Sequence, residues 1–277
     1  MDERIQDQLA VIDRLAKQKP RYQPALASYR QLLEVMREVS ESGLGCESAE
    51  MPGKGGQSGL PLFQRQSLPI DLATASAILA GFMERLGNTD REDSQGLLNA
   101  LEKLKTDPEW GAGLFRCVLD EDRQALAGFA QQVALDPRGL GFLAQTALTP
   151  AMELLRSAFA EQIDTENWDY GYCPLCGSRP DMAWFSDSGK RYLHCELCGT
   201  QWAYQRIGCP FCGNENHEQL GYLEAEEESG LRVYFCKNCL KYIKTVDKRM
   251  FEETPPLVLA NIVTLHLDLL ALENNYG

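Results

Sequence analysis

Four Cys-x-x-Cys pairs, Cys173/Cys176, Cys195/Cys198, Cys209/Cys212 and Cys236/Cys239, constrain this chain more than any other feature. A pair at this spacing puts two thiolates on one side of a tight turn, where both reach a single ion at tetrahedral angles. Two pairs close a four-cysteine site. In CPLCG and CPFCG, the proline presets φ and the glycine relieves crowding while backbone N–H groups turn toward the sulfurs. The intervening loops, 18 residues from Cys176 to Cys195 and 23 from Cys212 to Cys236, suit ribbon hairpins of the zinc-ribbon or rubredoxin type.

The cysteine region repeats itself. Gly189, Arg191 and Cys195 align with Gly230, Arg232 and Cys236, and the strand-like stretches QWAYQRI and KYIKTV follow the second and fourth pairs. Two copies of one unit are expected, with the first pair sharing an ion with the second and the third with the fourth. Spacing alone also permits a cross-braced pairing of first with third. Ribbons this small bury too little apolar surface to fold alone, so the ~10–16 kcal/mol of metal binding would be folding energy. Soft thiolates in a tetrahedral four-sulfur set serve zinc or iron alike. A thioredoxin-like disulfide needs one reactive pair at a helix start, and four pairs in hairpins fit that badly.

Ahead of the pairs the texture is helical. Ile5, Leu9, Ile12 and Leu15 recur at helical spacing, and a second apolar run extends from Leu26 to Met36 beyond a Pro20/Pro24 break. Further helices are expected over 71–86, 93–105, 120–134, 136–146 and 150–163, punctuated by Gly87, Pro108, Pro137 and Pro150. Residues 41–61, rich in glycine and small polar residues, read as a mobile loop. After Thr254-Pro255-Pro256 the run LVLANIVTLHLDLLALE predicts a closing helix. The expected organisation is α with a small β part: a helical domain over 1–165, four-cysteine modules over 166–207 and 208–253, and a C-terminal helix over 254–277.

Charge narrows the partners. Lys+Arg 27 against Asp+Glu 40 gives −13, which repels phosphate backbones and anionic membranes. Within residues 168–249 the balance is 10 Lys/Arg to 11 Asp/Glu, and each four-cysteine site around a divalent ion adds a further −2. Nucleic acid is therefore not expected, although Trp184, Tyr192, Trp202, Tyr204, Tyr222, Tyr234 and Phe235 lie among the knuckles. No stretch carries the ~20 apolar residues of a membrane span. The N-terminal MDERIQDQLAVIDRLAKQ lacks a signal peptide's apolar core, so a cytoplasmic protein with reduced thiols is expected.

CPLCGSRP, RYLHCELCGTQW, RIGCPFCG and the pattern Cys236-x-x-Cys239-x-x-Tyr242-x-Lys244 resemble the FdhE family, accessory proteins needed to obtain active formate dehydrogenase. The resemblance covers residues 171–246. It implies two rubredoxin-like modules, two iron ions held by Cys173, Cys176, Cys195, Cys198, Cys209, Cys212, Cys236 and Cys239, and a cytoplasmic protein. It also implies binding to the catalytic subunit of a molybdenum- or tungsten-dependent formate dehydrogenase during maturation. Two departures stand out. Family members tend to have glycine where this chain has Leu240, and an acidic pair in the final helix where it has Ala260 and Asn261, although Leu267-Asp268 keeps that pattern.

Other candidates have plainer readings. His194 beside Cys195 could reach a sulfur but reads as a strand-face histidine, since Phe235 replaces it in the second copy. Cys46 reads as a spare loop thiol and Cys117 as a core residue. PGKGGQSG from Pro52 lacks the order of a phosphate loop. The acidic runs at Asp120–Asp122 and Glu226–Glu228 read as a helix start and a hairpin tip. No Ser/His/Asp constellation appears, so no enzyme is expected. An iron redox protein and a nucleic-acid-binding zinc ribbon are the alternatives to an accessory role.

Overall fold

The computed structural model describes residues 2–41, 59–70, 72–225 and 229–277. Most of the expected loop, including Cys46, and the acidic run at 226–228 lie outside them. The described residues form two compact units. One comprises Met1–Ala10, Pro24–Met51 and Arg65–Ala158, the other Val11–Gln23, Pro52–Gln64 and Phe159–Gly277.

Seven helices are described before the cysteine region: α1 (Asp2–Gln18), α2 (Gln23–Glu41), α3 (Leu72–Gly87), α4 (Ser94–Thr106), α5 (Pro108–Leu119), α6 (Arg123–Val133) and α7 (Pro137–Ala158). In the first unit α3 packs against α4, α5 and α7, burying Ile78, Leu79, Phe82 and Met83 among Leu97, Leu114, Phe115 and Leu148. Each such side chain, fully buried, is worth about 1.5–3 kcal/mol.

Ahead of the cysteine region two helices differ from the sequence expectation. Pro108 starts α5 where a break was expected, because proline's missing N–H costs nothing at the first helical position and the Asp107 carboxylate accepts from Trp110 N–H (3.1 Å). The expected helices at 136–146 and 150–163 are one 22-residue helix, α7, with Pro150 inside it. Pro150 is buried, as are Ala147, Leu148, Ala151 and Met152 around it, so packing outweighs the lost helical hydrogen bond.

The second unit holds the β structure: β1 (Pro180–Phe185), β2 (Arg191–Cys195), β3 (Gln201–Tyr204), β4 (Leu220–Glu224), β5 (Leu231–Cys236) and β6 (Tyr242–Asp247). Each half of the repeat supplies three antiparallel strands. The halves are fused into one mixed sheet of order β3-β2-β1-β6-β5-β4, because β1 pairs in parallel with β6, Met182 opposite Lys244. Alternation along β5 turns Leu231 and Val233 onto a core shared with Met182, Val246, Leu257, Leu267 and Ala271.

The closing segment is helical in two pieces, α8 (Leu257–Ile262) and α9 (Leu265–Glu273). Thr264 interrupts it. Its hydroxyl donates to the Ala260 carbonyl (2.7 Å) and lies 3.2 Å from that of Asn261, competing with the helical ladder. No helix among the described residues is long and apolar enough to cross a membrane.

Candidate metal centres

Each Cys-x-x-Cys pair folds into the same turn. The first cysteine's carbonyl accepts from the residue after the second cysteine: Gly177 to Cys173 (2.9 Å), Gly199 to Cys195 (3.0 Å), Gly213 to Cys209 (2.9 Å) and Leu240 to Cys236 (2.9 Å). A second bond returns from the first cysteine's N–H to the carbonyl one residue further on, at Ser178, Thr200, Asn214 and Lys241. The turn needs a left-handed residue at its end. Gly177, Gly199 and Gly213 take φ of 73°, 69° and 70°, and Leu240 is held at 58°.

The turns meet in two groups. The sulfurs of Cys173, Cys176, Cys195 and Cys198 lie within 4.8 Å of one another, and so do those of Cys209, Cys212, Cys236 and Cys239. First is grouped with second and third with fourth. Strands set the meeting points, since β2 ends at Cys195 and β5 at Cys236. All eight are free thiols. Sulfur–sulfur separations are 3.5, 3.6 and 3.7 Å in the first cluster and 3.6 and 3.8 Å in the second. A tetrahedral ion with metal–sulfur bonds of ~2.3 Å spaces its sulfurs at ~3.8 Å, so each cluster could hold one.

The clusters differ in their surroundings. All four cysteines of the first are buried, whereas Cys212 is exposed and Cys239 half-buried in the second. Hydroxyls flank the first: Ser178 Oγ is 3.2 Å from Cys176 Sγ and Thr200 Oγ1 is 3.0 Å from Cys198 Sγ. Amides flank the second, where Asn214 Nδ2 donates to Cys236 and Asn238 Nδ2 to Cys212, both at 3.6 Å. Either donor stabilises a thiolate. Without an ion, burial pushes the Cys173 and Cys195 thiols well up, while hydrogen bonds from Cys173, Cys195 and Cys198 hold Cys176 well down. In the open second cluster burial pushes Cys212 up, but hydrogen bonds, foremost from the Asn238 amide, bring it to about 7.

Part of the first cluster's cover was not read from the sequence. Leu62 and Phe63 N–H donate to the Pro174 and Leu175 carbonyls (both 2.8 Å), Pro61 packs on Gly177, and the Tyr172 hydroxyl donates to the Gly59 carbonyl. The residues LPLF at 60–63 are apolar next to a glycine-rich stretch. That contrast was the available signal.

His194 turns from sulfur to Asp181, Nδ1 2.7 Å from Oδ1. Tyr242 and Lys244 meet in a polar network under the closing helices. The Tyr242 hydroxyl donates to Asp268 Oδ1 (2.8 Å), and Lys244 Nζ donates to Asp268 Oδ2 (2.6 Å) and the Asn261 carbonyl (3.0 Å). Asn261 Nδ2 continues the network to Asp181 Oδ2 (3.3 Å). Trp184 stacks on Tyr192 (4.4 Å) and Phe235 on Tyr276 (4.3 Å), and Trp202 is fully buried, whereas Tyr222 is exposed. Cys117 is buried in α5, its thiol donating to the Leu114 carbonyl.

A family model described as "FdhE, central domain" matches residues 172–206, the stretch that carries the first cluster. A "Protein FdhE homolog" of Aquifex aeolicus (strain VF5) is 36% identical over 124 residues, 43% of this chain and 44% of that protein. Another, from Pseudomonas aeruginosa, is 33% identical over 114 residues, 38% of this chain and 36% of that protein. The matched stretches thus span less than half the length of these curated relatives. The crystal structure of the FdhE protein from Pseudomonas aeruginosa superposes with a TM-score of 0.68, covering 98% of this chain and 91% of that one. At 22% identity that likeness is one of fold.

Proposed function

We propose that this chain is an FdhE-type accessory protein of formate dehydrogenase, and that it binds the catalytic subunit of a molybdenum- or tungsten-dependent enzyme in the cytoplasm while catalysing no reaction itself. The observation that carries the reading is the pair of four-sulfur clusters built on four equivalent turns, the first of which lies in the stretch matched by the FdhE central domain. Cys173, Cys176, Cys195 and Cys198 would hold one ion, and Cys209, Cys212, Cys236 and Cys239 another. Iron is our reading, with zinc the alternative that the same soft, tetrahedral donor set accepts. Either ion supplies folding energy to ribbons that have little core of their own.

What the residues contribute is support. The knuckle amides and the hydroxyls of Ser178 and Thr200 orient the sulfurs, and the shared sheet ties one cluster to the other through β1 and β6. Tagged full-length protein expressed in an anaerobic host should retain the dehydrogenase catalytic subunit on purification. No retention, together with active dehydrogenase made in a strain lacking this protein, would sink the proposal.

A redox role is the second reading, and it rests on the hydrogen-bond donors beside the sulfurs, which set the potential of an iron–thiolate centre. Visible absorption that bleaches reversibly on reduction is its test. Colourless protein with zinc in both clusters removes it.

A further inference from the structure

A cavity of about 210 Å³ opens beside the second cluster. Its walls include Phe211, Tyr222, Tyr234 and Phe235, and the apolar character is broken by Arg191 and Arg206. A Cβ on Gly221 would fall 2.5 Å from the Phe235 ring, so the glycine is what lets that ring form the wall.

Arg191 is the unusual member. It is 2% exposed, yet among the described residues no carboxylate pairs with it. Its Nη1 donates to the Gly208 carbonyl (2.9 Å) and its Nε has no partner among the described residues. The rings of Tyr204 and Tyr234 lie at 5.8 and 5.7 Å, and the anionic neighbour it feels is the Cys209 sulfur of the second cluster rather than a carboxylate. Buried cations are ordinarily paired, and a guanidinium has five donors to satisfy. Arg206, Lys241 and His217 line the same cavity and no Asp or Glu does, in a chain whose net charge is −13. The three cations Arg191, Arg206 and Lys241 outnumber the −2 that a divalent ion in the second cluster would leave beside them.

We infer that this cavity binds a small carboxylate with an aromatic or aliphatic body. The guanidinium groups match a carboxylate bidentately, and the rings take the apolar part by stacking or edge contact. The volume lies below the roughly 300–1,000 Å³ of sites for drug-sized ligands, so the acid is small. Ile207 and Tyr222, both exposed, belong to the same lining and offer the apolar body a route in.

The test is calorimetric titration of the purified full chain, with its metal as isolated, using benzoate and its neutral counterpart benzamide. Saturable benzoate binding, with benzamide at least about tenfold weaker, is expected, as is a loss of about tenfold in Arg206→Ala, an exposed position whose unfolding midpoint is read alongside because its guanidinium lies 5.5 Å over the Phe185 ring. Equal affinity for benzamide, no benzoate binding at millimolar concentration, or unchanged affinity in Arg206→Ala overturns the inference. No dehydrogenase enters the experiment, so its outcome is separate from that of the accessory role.

Discussion

Leu240 takes the left-handed backbone conformation that Gly199 takes at the matching position of the first module, φ 58° against 69°. Both close their turn with the same N–H to carbonyl bond, to Cys236 and Cys195. The chain has kept the turn and given up the residue best suited to it. A branched side chain in this region costs about 1–2 kcal/mol, and an exposed leucine recovers little of that by packing.

Leu240→Gly should therefore stabilise the metal-loaded protein by about 1 kcal/mol, whereas Gly199→Leu should destabilise it by at least as much. Thermal unfolding at fixed metal content reads both. A Leu240→Gly variant less stable than the parent would show that the side chain makes a contact worth more than the strain.

The clusters should empty in order. Cys212 is exposed and Cys239 half-buried, while the first cluster is sealed by Pro61 to Phe63. A chromogenic chelator should draw one ion at least about tenfold faster than the other, since a sealed site opens only through local unfolding. The fast phase should vanish in Cys212→Ser and persist in Cys176→Ser, and the latter should cost several kcal/mol in urea unfolding because it breaks a buried centre.

Thiol labelling should follow the same order. In chains that have lost the second ion and keep their fold, Cys212, brought to about 7 by its neighbours' hydrogen bonds against the push of burial, is largely thiolate at pH 8. Cys117 is pushed up to about 11 by burial, with Asp122 and Asp120 adding to it, and stays protonated and covered. Iodoacetamide at pH 8 followed by peptide mass spectrometry should find Cys212 modified first among the cysteines of the described residues, and Cys117 unmodified until unfolding.

Lys244 predicts a pH dependence. Burial pushes its ammonium below the ordinary 10.5, more than Asp268 pulls it back. Between the folded and the unfolded values the unfolded chain holds more protons, so this residue's contribution to stability rises with pH across that window and is level below it. Relative to Lys244→Met, the parent should gain stability as the pH approaches 10.5, measured by urea unfolding of both proteins. A difference that stays constant or shrinks would contradict the assignment.

Much of the site was readable because it is local. Three residues of separation place two sulfurs on one turn, and glycine marks where that turn must go left-handed; Leu240, which breaks the pattern, still obeys the geometry. The helices were less so. Pro108 begins a helix behind a local cap, Asp107, whereas Pro150 lies buried within one, and only the packing of its neighbours accounts for the second case.

The amino-acid order by itself determined the four turns, the repeat and the chemistry of the eight thiols, because covalent spacing and backbone sterics act over a few residues. Tertiary structure alone decided that β1 and β6 join the two halves into one sheet, that residues 59–63 seal the first cluster, and that Asp268 receives both Tyr242 and Lys244. These pairings join residues 24 to 113 positions apart. Such contacts form only when burial of the whole face outweighs the entropy of closing the chain, a balance that no short stretch of sequence contains.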